Sequence, residues 1–138
     1  MGMPNILVVD DDRDCRRMLV RVLQAHYRVM DVASAEIALE LLLTGYSFDV
    51  ILCDMGMDGW SGADLYKRLQ RKGNPHAARF VMLTGEDVAG RNPALASQLI
   101  GRLLRKPVDP AELLEVLTTI RRVAQQQSET WRPNRHPA

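Results

Sequence analysis

The stretch Val50-Ile51-Leu52-Cys53-Asp54, followed by Met55-Gly56-Met57-Asp58-Gly59, decides the fold. Four apolar residues run into a single carboxylate, and the glycine-bearing segment behind it cannot continue a strand. An apolar run this short, bounded by turn residues, predicts a strand over Phe48–Cys53 that is buried on both faces. Asp54 then stands at the carboxyl end of a central strand. In open α/β sheets that edge is where ligands bind.

Working outward, the same grammar recurs. Ile6-Leu7-Val8-Val9 ends in Asp10-Asp11-Asp12, a buried strand followed by a turn. From Asp12, a plausible N-cap, the period becomes helical, with Cys15, Met18, Leu19, Val22 and Leu23 inward and Arg13, Arg16, Arg17 and Arg21 between them. Tyr27 to Val32 predicts a second strand. Ala35 to Leu43 predicts a second helix with Ile37, Ala38, Leu41 and Leu42 inward and Gly45 just past its end. Ser61-Gly62 opens a third helix, Ala63 to Arg71, and Gly73-Asn74-Pro75 closes it. Phe80-Val81-Met82-Leu83 is a strand ending at Thr84-Gly85. From Asp87 to Leu99, Gly90 and Asn92-Pro93 predict a loop and then a short helix from about Pro93. Arg102 to Arg105 is a short strand running into Lys106-Pro107. Asp109-Pro110-Ala111-Glu112 starts a last helix with Leu113, Leu114, Val116, Leu117, Ile120 and Val123 inward. Residues 125–138 read as a polar, disordered tail that holds Trp131. Strand and helix alternate five times, which predicts a parallel sheet covered on both faces.

Composition admits this and excludes other classes. The 138 residues suit one domain with a real core, 46% of them apolar and 25% charged. A formal net charge of +1 gives no global field for nucleic acid or an anionic membrane. No apolar run reaches the roughly 18 residues that span a bilayer. The N-terminus lacks the basic region of a signal peptide. Cys15 and Cys53 have no metal-ligand spacing and fit reduced thiols in a cytoplasmic protein. His26, His76 and His136 share no periodicity and carry no predicted role.

Four of the predicted strands end in a polar residue: Asp10-Asp11, Asp54, Thr84 and Lys106. Right-handed crossovers place every carboxyl end of a parallel sheet on one side, so these residues share one rim. With strand order 2-1-3-4-5, strands one and three are neighbours and three carboxylates converge. Crowded carboxylates raise one another's pKa and disfavour folding. A hard divalent cation such as Mg2+ resolves the conflict, because it takes carboxylates, waters and phosphate oxygens. Thr84 can donate to a phosphoryl oxygen and Lys106 adds a positive charge on a long stem. A carboxylate in that company is a reasonable nucleophile toward phosphorus.

These residues resemble the receiver domain of two-component response regulators, over about residues 4–124. The resemblance rests on Ile6-Leu7-Val8-Val9-Asp10-Asp11, on Asp54 with Gly62 eight residues later, on Thr84-Gly85 and on Lys106-Pro107. It implies a flavodoxin-like, CheY-like (βα)5 doubly wound sandwich with a five-stranded parallel sheet in the order 2-1-3-4-5. It implies that Asp54 accepts a phosphoryl group from the phosphohistidine of a histidine kinase or phosphotransfer protein. Asp10, Asp11, Asp54 and the backbone carbonyl of Gly56 would hold Mg2+ or Mn2+. Thr84 and Lys106 would grip the phosphoryl oxygens. Gly85 would leave the phosphorus accessible, and Gly56 and Glu86 would flank the attacking water and tune the lifetime of the phosphoryl group. The kinase would dock near the first helix, at Cys15, Met18, Leu19 and the arginines. A bacterial, cytoplasmic signalling switch is expected, not a metabolic enzyme, with no direct contact to nucleic acid and no membrane insertion. It would be a monomer or a weak homodimer, either stand-alone or the receiver of a longer chain such as a hybrid sensor histidine kinase.

Three positions depart from the family pattern. Asp58 stands where a proline is usual, Leu103 stands where a switch aromatic is usual, and Gly90 and Asn92-Pro93 interrupt the expected fourth helix. All three bear on how phosphorylation is read out, not on the pocket. Other function classes fit less well. A haloacid-dehalogenase-like aspartyl phosphatase needs an Asp-x-Asp-x-Thr pattern, but Asp14 occupies the Thr place and Asp54 would be idle. A flavodoxin-type electron carrier would set three aspartates against the flavin phosphate. A phosphorylation-independent pseudo-receiver scaffold would have no use for a complete pocket.

Overall fold

The computed structural model describes residues 2–85 and 87–130. Its elements are β1 (Asn5–Val9), α1 (Arg13–Leu23), β2 (Arg28–Val32), α2 (Ala35–Leu43), β3 (Val50–Asp54) and α3 (Gly62–Arg71). A 3-10 turn over Pro75–Arg79 follows, then β4 (Phe80–Thr84), α4 (Val88–Arg91), α5 (Pro93–Gln98), β5 (Leu103–Arg105) and α6 (Pro110–Thr130). The five strands form one sheet in the order β2-β1-β3-β4-β5, and every pairing is parallel. This is the flavodoxin-like order, with its switch point between β1 and β3.

Alternation along the strands builds two cores, one on each face. Leu7, Val9, Ile51, Cys53, Phe80 and Met82 point to one side, where Ala38, Leu42, Leu65, Leu69, Leu95 and Leu99 cover them from α2, α3 and the α5 segment. Ile6, Val8, Val50, Leu52, Val81 and Leu83 point to the other, against Leu19 and Leu23 of α1 and Leu113, Leu117 and Ile120 of α6. All five residues of β3 and of β4 are buried, as the uninterrupted apolar runs predict. Truncating any of these core leucines to alanine costs roughly 2–5 kcal/mol.

The helix starts follow local rules. Asp12 caps α1 by accepting from the N–H groups of Asp14 and Cys15. Ser61 and Asp64 form a reciprocal capping box on α3. Gly45 follows the end of α2 with φ +102°, a conformation that favours glycine. Gly62 is required for a different reason. A Cβ there would lie 2.6 Å from the carbonyl oxygen of Asp54, so only glycine lets α3 begin against the end of β3.

Several expectations change. Ile37 faces outward at 47% exposure, and Leu39 takes its place in the core. On α2 nearly every position is apolar, so the sequence did not distinguish the buried face. Met18 and Val123 are also half exposed, and Ala124 is the buried residue beside Val123. The segment after Thr84 is not a loop before Pro93. It holds a separate turn of helix, α4, capped by Asp87, and Asn92 both ends α4 and caps α5. The C-terminal helix runs on to Thr130, so residues 125–130 are helical where a tail was expected. Glu86, Trp131 and His136 lie outside the described residues.

Candidate functional site

The rim at the carboxyl ends of the strands is assembled by hydrogen bonds that continue the sheet beyond its strands. Asp10 donates its N–H to the Val32 carbonyl (3.2 Å), Met55 to the Leu83 carbonyl (2.8 Å) and Lys106 to the Thr84 carbonyl (2.9 Å). These bonds draw together groups that lie far apart in sequence. The Lys106–Pro107 peptide is cis.

At the centre, Asp54 is 6% exposed and Asp10 is fully buried. Lys106 Nζ sits 3.1 Å from Asp54 Oδ1. One ligand oxygen each from Asp10, Asp11 and Asp54 lies within 4.8 Å of the others. Asp10 Oδ1 accepts from the Asp12 N–H at 2.9 Å, while Asp10 Oδ2 is buried with no hydrogen-bond partner. An orphaned carboxylate oxygen beside two other acids is costly in a folded protein. A divalent cation with oxygen ligands is the group whose charge and coordination fit it. Asp11 is exposed, and its Oδ2 accepts from the Asp58 N–H at 2.9 Å.

The electrostatics follow from this crowding. Burial pushes the Asp54 carboxyl above its usual range, opposed by the hydrogen bond from Lys106 and reinforced by the Asp10 charge, while the Gly56 N–H also opposes it. Burial works to lower the Lys106 ammonium, but the hydrogen bond and charge of Asp54 outweigh it, and its pKa is raised. The same crowding disfavours the thiolate form of both cysteines. Burial and a hydrogen bond to Asp10 push half-buried Cys15 up to about 12. Cys53, wholly buried, is pushed well up by burial and by Asp54, in line with its expected packing role.

Asp54, Met55, Gly56, Ser61, Thr84, Gly85 and Lys106 line an open cleft of about 500 Å3. The rim residues predicted from sequence are therefore brought together. Thr84 is 2% exposed and reaches the cleft from the end of β4. Gly85 is exposed at the cleft, and a Cβ there would meet nothing within 4 Å. Leu103 lies at the start of β5, half-buried against the core under α3 and α5.

Sequence reasoning missed two contributors. Arg16, read only as part of a charged face, donates Nη1 to the Asp10 carbonyl (2.8 Å) and Nε to Asp31 (2.9 Å), tying the β1–α1 turn to the end of β2. Asp58, expected to bear on readout and not on the pocket, in fact touches Asp11 of the acidic cluster through its main chain. The first carries a signal in an arginine one turn after the acidic turn. The second carries none, because every residue except proline has an N–H.

Fold and rim define a doubly wound α/β domain with an acidic, lysine-bearing cleft at the carboxyl edge of its sheet. The family model of the response regulator receiver domain matches residues 6–118, and the chain belongs to that family. The two-component response regulator ORR6 of Oryza sativa subsp. japonica is 31% identical over 120 residues, covering 85% of this chain and 71% of that protein. The hydrogenase transcriptional regulatory protein HoxA of Cupriavidus necator is 35% identical over 116 residues, 81% of this chain but 23% of its own length. The structure of Vibrio cholerae chemotaxis protein CheY4 superimposes with a TM-score of 0.75 at 28% identity, covering 86% of this chain and 99% of that one. The resemblance read from the strand ends is thus the right family, and the 2-1-3-4-5 sheet is the right fold. The relatives come from a plant and from bacteria, so family membership does not favour the bacterial source expected from sequence. Among the described residues no helix is long and apolar enough to cross a membrane.

Proposed function

We propose that this chain is a phosphoacceptor switch of two-component signalling, in which Asp54 takes a phosphoryl group from the phosphohistidine of a histidine kinase or phosphotransfer protein. The observation that supports it most is the paired state of Asp54: a buried carboxylate held 3.1 Å from Lys106, beside the orphaned Asp10 oxygen, in an open cleft. An Asp54 oxygen attacks phosphorus, the new P–O bond forms, and the N–P bond breaks with its electron pair leaving on the donor imidazole. Lys106 sits where it can exchange its contact with Asp54 for one with a phosphoryl oxygen. Thr84 lines the same cleft and offers a hydroxyl to a second oxygen. Asp10, Asp11, Asp54 and the Gly56 carbonyl would hold Mg2+ or Mn2+, which supplies charge neutralisation for the transferred group.

In this reading Glu86 and Gly56 set the phosphoryl lifetime, and the protein works in the cytoplasm as a switch with no metabolic turnover. The kinase approaches over α1, where Arg13, Arg17 and Met18 are exposed. Output does not pass through an inward-swinging aromatic, because that place holds Leu103, half-buried against the core.

The test is incubation with Mg2+ and a small-molecule phosphodonor, followed by intact mass. A gain of about 80 Da, one phosphoryl group, is expected in the unmodified chain and not in Asp54→Asn. Absence of the adduct with every donor tried, together with retained partner binding, would identify a phosphorylation-independent scaffold instead.

A further inference from the structure

The three acidic side chains at the rim are not held alike. Asp54 is fixed by Lys106, and Asp10 is buried with one oxygen on the Asp12 N–H. Asp11 is exposed, on the turn after β1, and a free surface carboxylate samples several rotamers. Yet its oxygen lies within reach of the other two. The contact that places it comes from across the cleft, where the Asp58 N–H donates to Asp11 Oδ2 at 2.9 Å from 47 residues away.

The donor is itself well supported. Met55, Met57 and Trp60, on either side of Asp58, are partly buried against the core under α2 and α3. Trp60 also lies under the guanidinium of Arg68, 3.8 Å from its ring centroid. The Gly62 N–H to the Met55 carbonyl (3.0 Å) closes the loop at its base. The Asp58 amide is therefore presented by an anchored loop to a mobile type of side chain.

We propose that the main-chain N–H of Asp58 is a positioning group for Asp11, holding its carboxylate toward Asp10 and Asp54 for a divalent cation and so coupling cation binding to the setting of the β3–α3 loop. The inference rests on the metal-binding reading given above. A hydrogen bond to one oxygen leaves the charge of Asp11 intact and its other oxygen available, while removing the rotamer freedom that binding would otherwise have to remove. Coupling of this kind is reciprocal, so cation binding must tighten the Asp58 amide contact by the same factor that the contact tightens cation binding.

The test is Mg2+ titration of the full chain by calorimetry, with amide exchange at Asp58 followed by NMR. Asp58→Pro removes the N–H and is expected to weaken Mg2+ binding about tenfold, the low end for outer-sphere partners. Asp58→Ala keeps the N–H and is expected to stay within about twofold of the unmodified chain. In an Asp11→Ala background, Asp58→Pro should add no further loss, which separates positioning from damage to the loop. In the unmodified chain Mg2+ should slow exchange of the Asp58 amide, and Asp11→Ala should speed it without metal, each about tenfold. Equal Mg2+ affinity in Asp58→Pro, or the same loss with and without Asp11, overturns the inference and leaves the metal site standing. No Mg2+ binding by the unmodified chain sinks the metal reading itself and this inference with it.

Discussion

Two buried polar clusters, one near each end of the sheet, are held in opposite ways: the group around His76 and the group around Asp10 and Asp54. At the amino-terminal edge, His76 is 4% exposed and fully partnered: its Nε2 accepts the Phe48 N–H at 3.0 Å and its Nδ1 lies 2.8 Å from Asn74 Oδ1. Asn74 in turn donates to the Leu42 carbonyl at 3.3 Å, and Arg79 donates to the Phe48 carbonyl at 3.1 Å. Burial, and then the Arg79 charge, bring the His76 pKa down to about 4, so the ring is neutral at physiological pH. At the carboxyl edge, Asp10 keeps an unpartnered oxygen, and Asp54 and Asp10 face each other as like charges. The first cluster uses its polar groups to hold elements together. The second leaves a buried carboxylate oxygen under-satisfied, the arrangement expected if the proposed cation and phosphoryl group bind there.

The largest expected effect breaks the His76 clasp. His76→Ala leaves the Phe48 N–H buried without a partner and opens a cavity between β3 and the turn before β4. It should cost about 3 kcal/mol in urea unfolding. A loss below about 1 kcal/mol would mean that the clasp is not a stability element.

A pH series sharpens the contrast, because the two ends titrate with opposite sign. His76 has a folded pKa below its ordinary 6.5, so between pH 6.5 and about 4 the unfolded chain binds more protons. Its contribution is full above pH 6.5 and is lost as pH falls through that window, by up to about 3 kcal/mol. Asp54 is raised above the carboxylate range, so just above that range the folded chain binds more protons. Its contribution therefore improves as pH falls. Unfolding curves from neutral pH into the acid range should flatten in His76→Gln and steepen in Asp54→Asn, relative to the unmodified chain. Parallel curves for all three proteins would contradict the contrast.

The smallest effect relieves the strained end. Asp10→Asn keeps an acceptor for the Asp12 N–H but removes one of three crowded charges. Without divalent metal it should raise stability by about 1–2 kcal/mol, at an effective dielectric near 20. With saturating Mg2+ the order should reverse, because only the unmodified chain gains the full binding free energy. Loss of stability in chelator would show that the acids are not in conflict.

How much of this was legible in the sequence differs by element. β1, β3 and β4 were clear because an uninterrupted apolar run has one stable home, the middle of a covered parallel sheet. Asp10, Asp11, Asp54, Thr84 and Lys106 were legible as rim residues for the same reason, since each ends such a run. Ile37 was misplaced because α2 is apolar nearly all round and its own period does not choose a face. The α4–α5 segment was half legible: Pro93 marked the second helix, but a four-residue helix capped by Asp87 is too short to leave a period. His76 was illegible, since one histidine after a proline says nothing of the Phe48 amide it will accept.

By itself, then, the sequence determined the alternation of strands and main helices, the parallel covered sheet and the set of polar groups on one edge. These are consequences of local period and of chain chirality, which act within a few residues or on every crossover alike. Tertiary structure alone decided which face of α2 is buried, that His76 is a neutral clasp, and that the Asp58 amide reaches Asp11. The physical reason is that main-chain donors are nearly identical along the chain, so which acceptor each one meets is settled only when the cores on both faces of the sheet close.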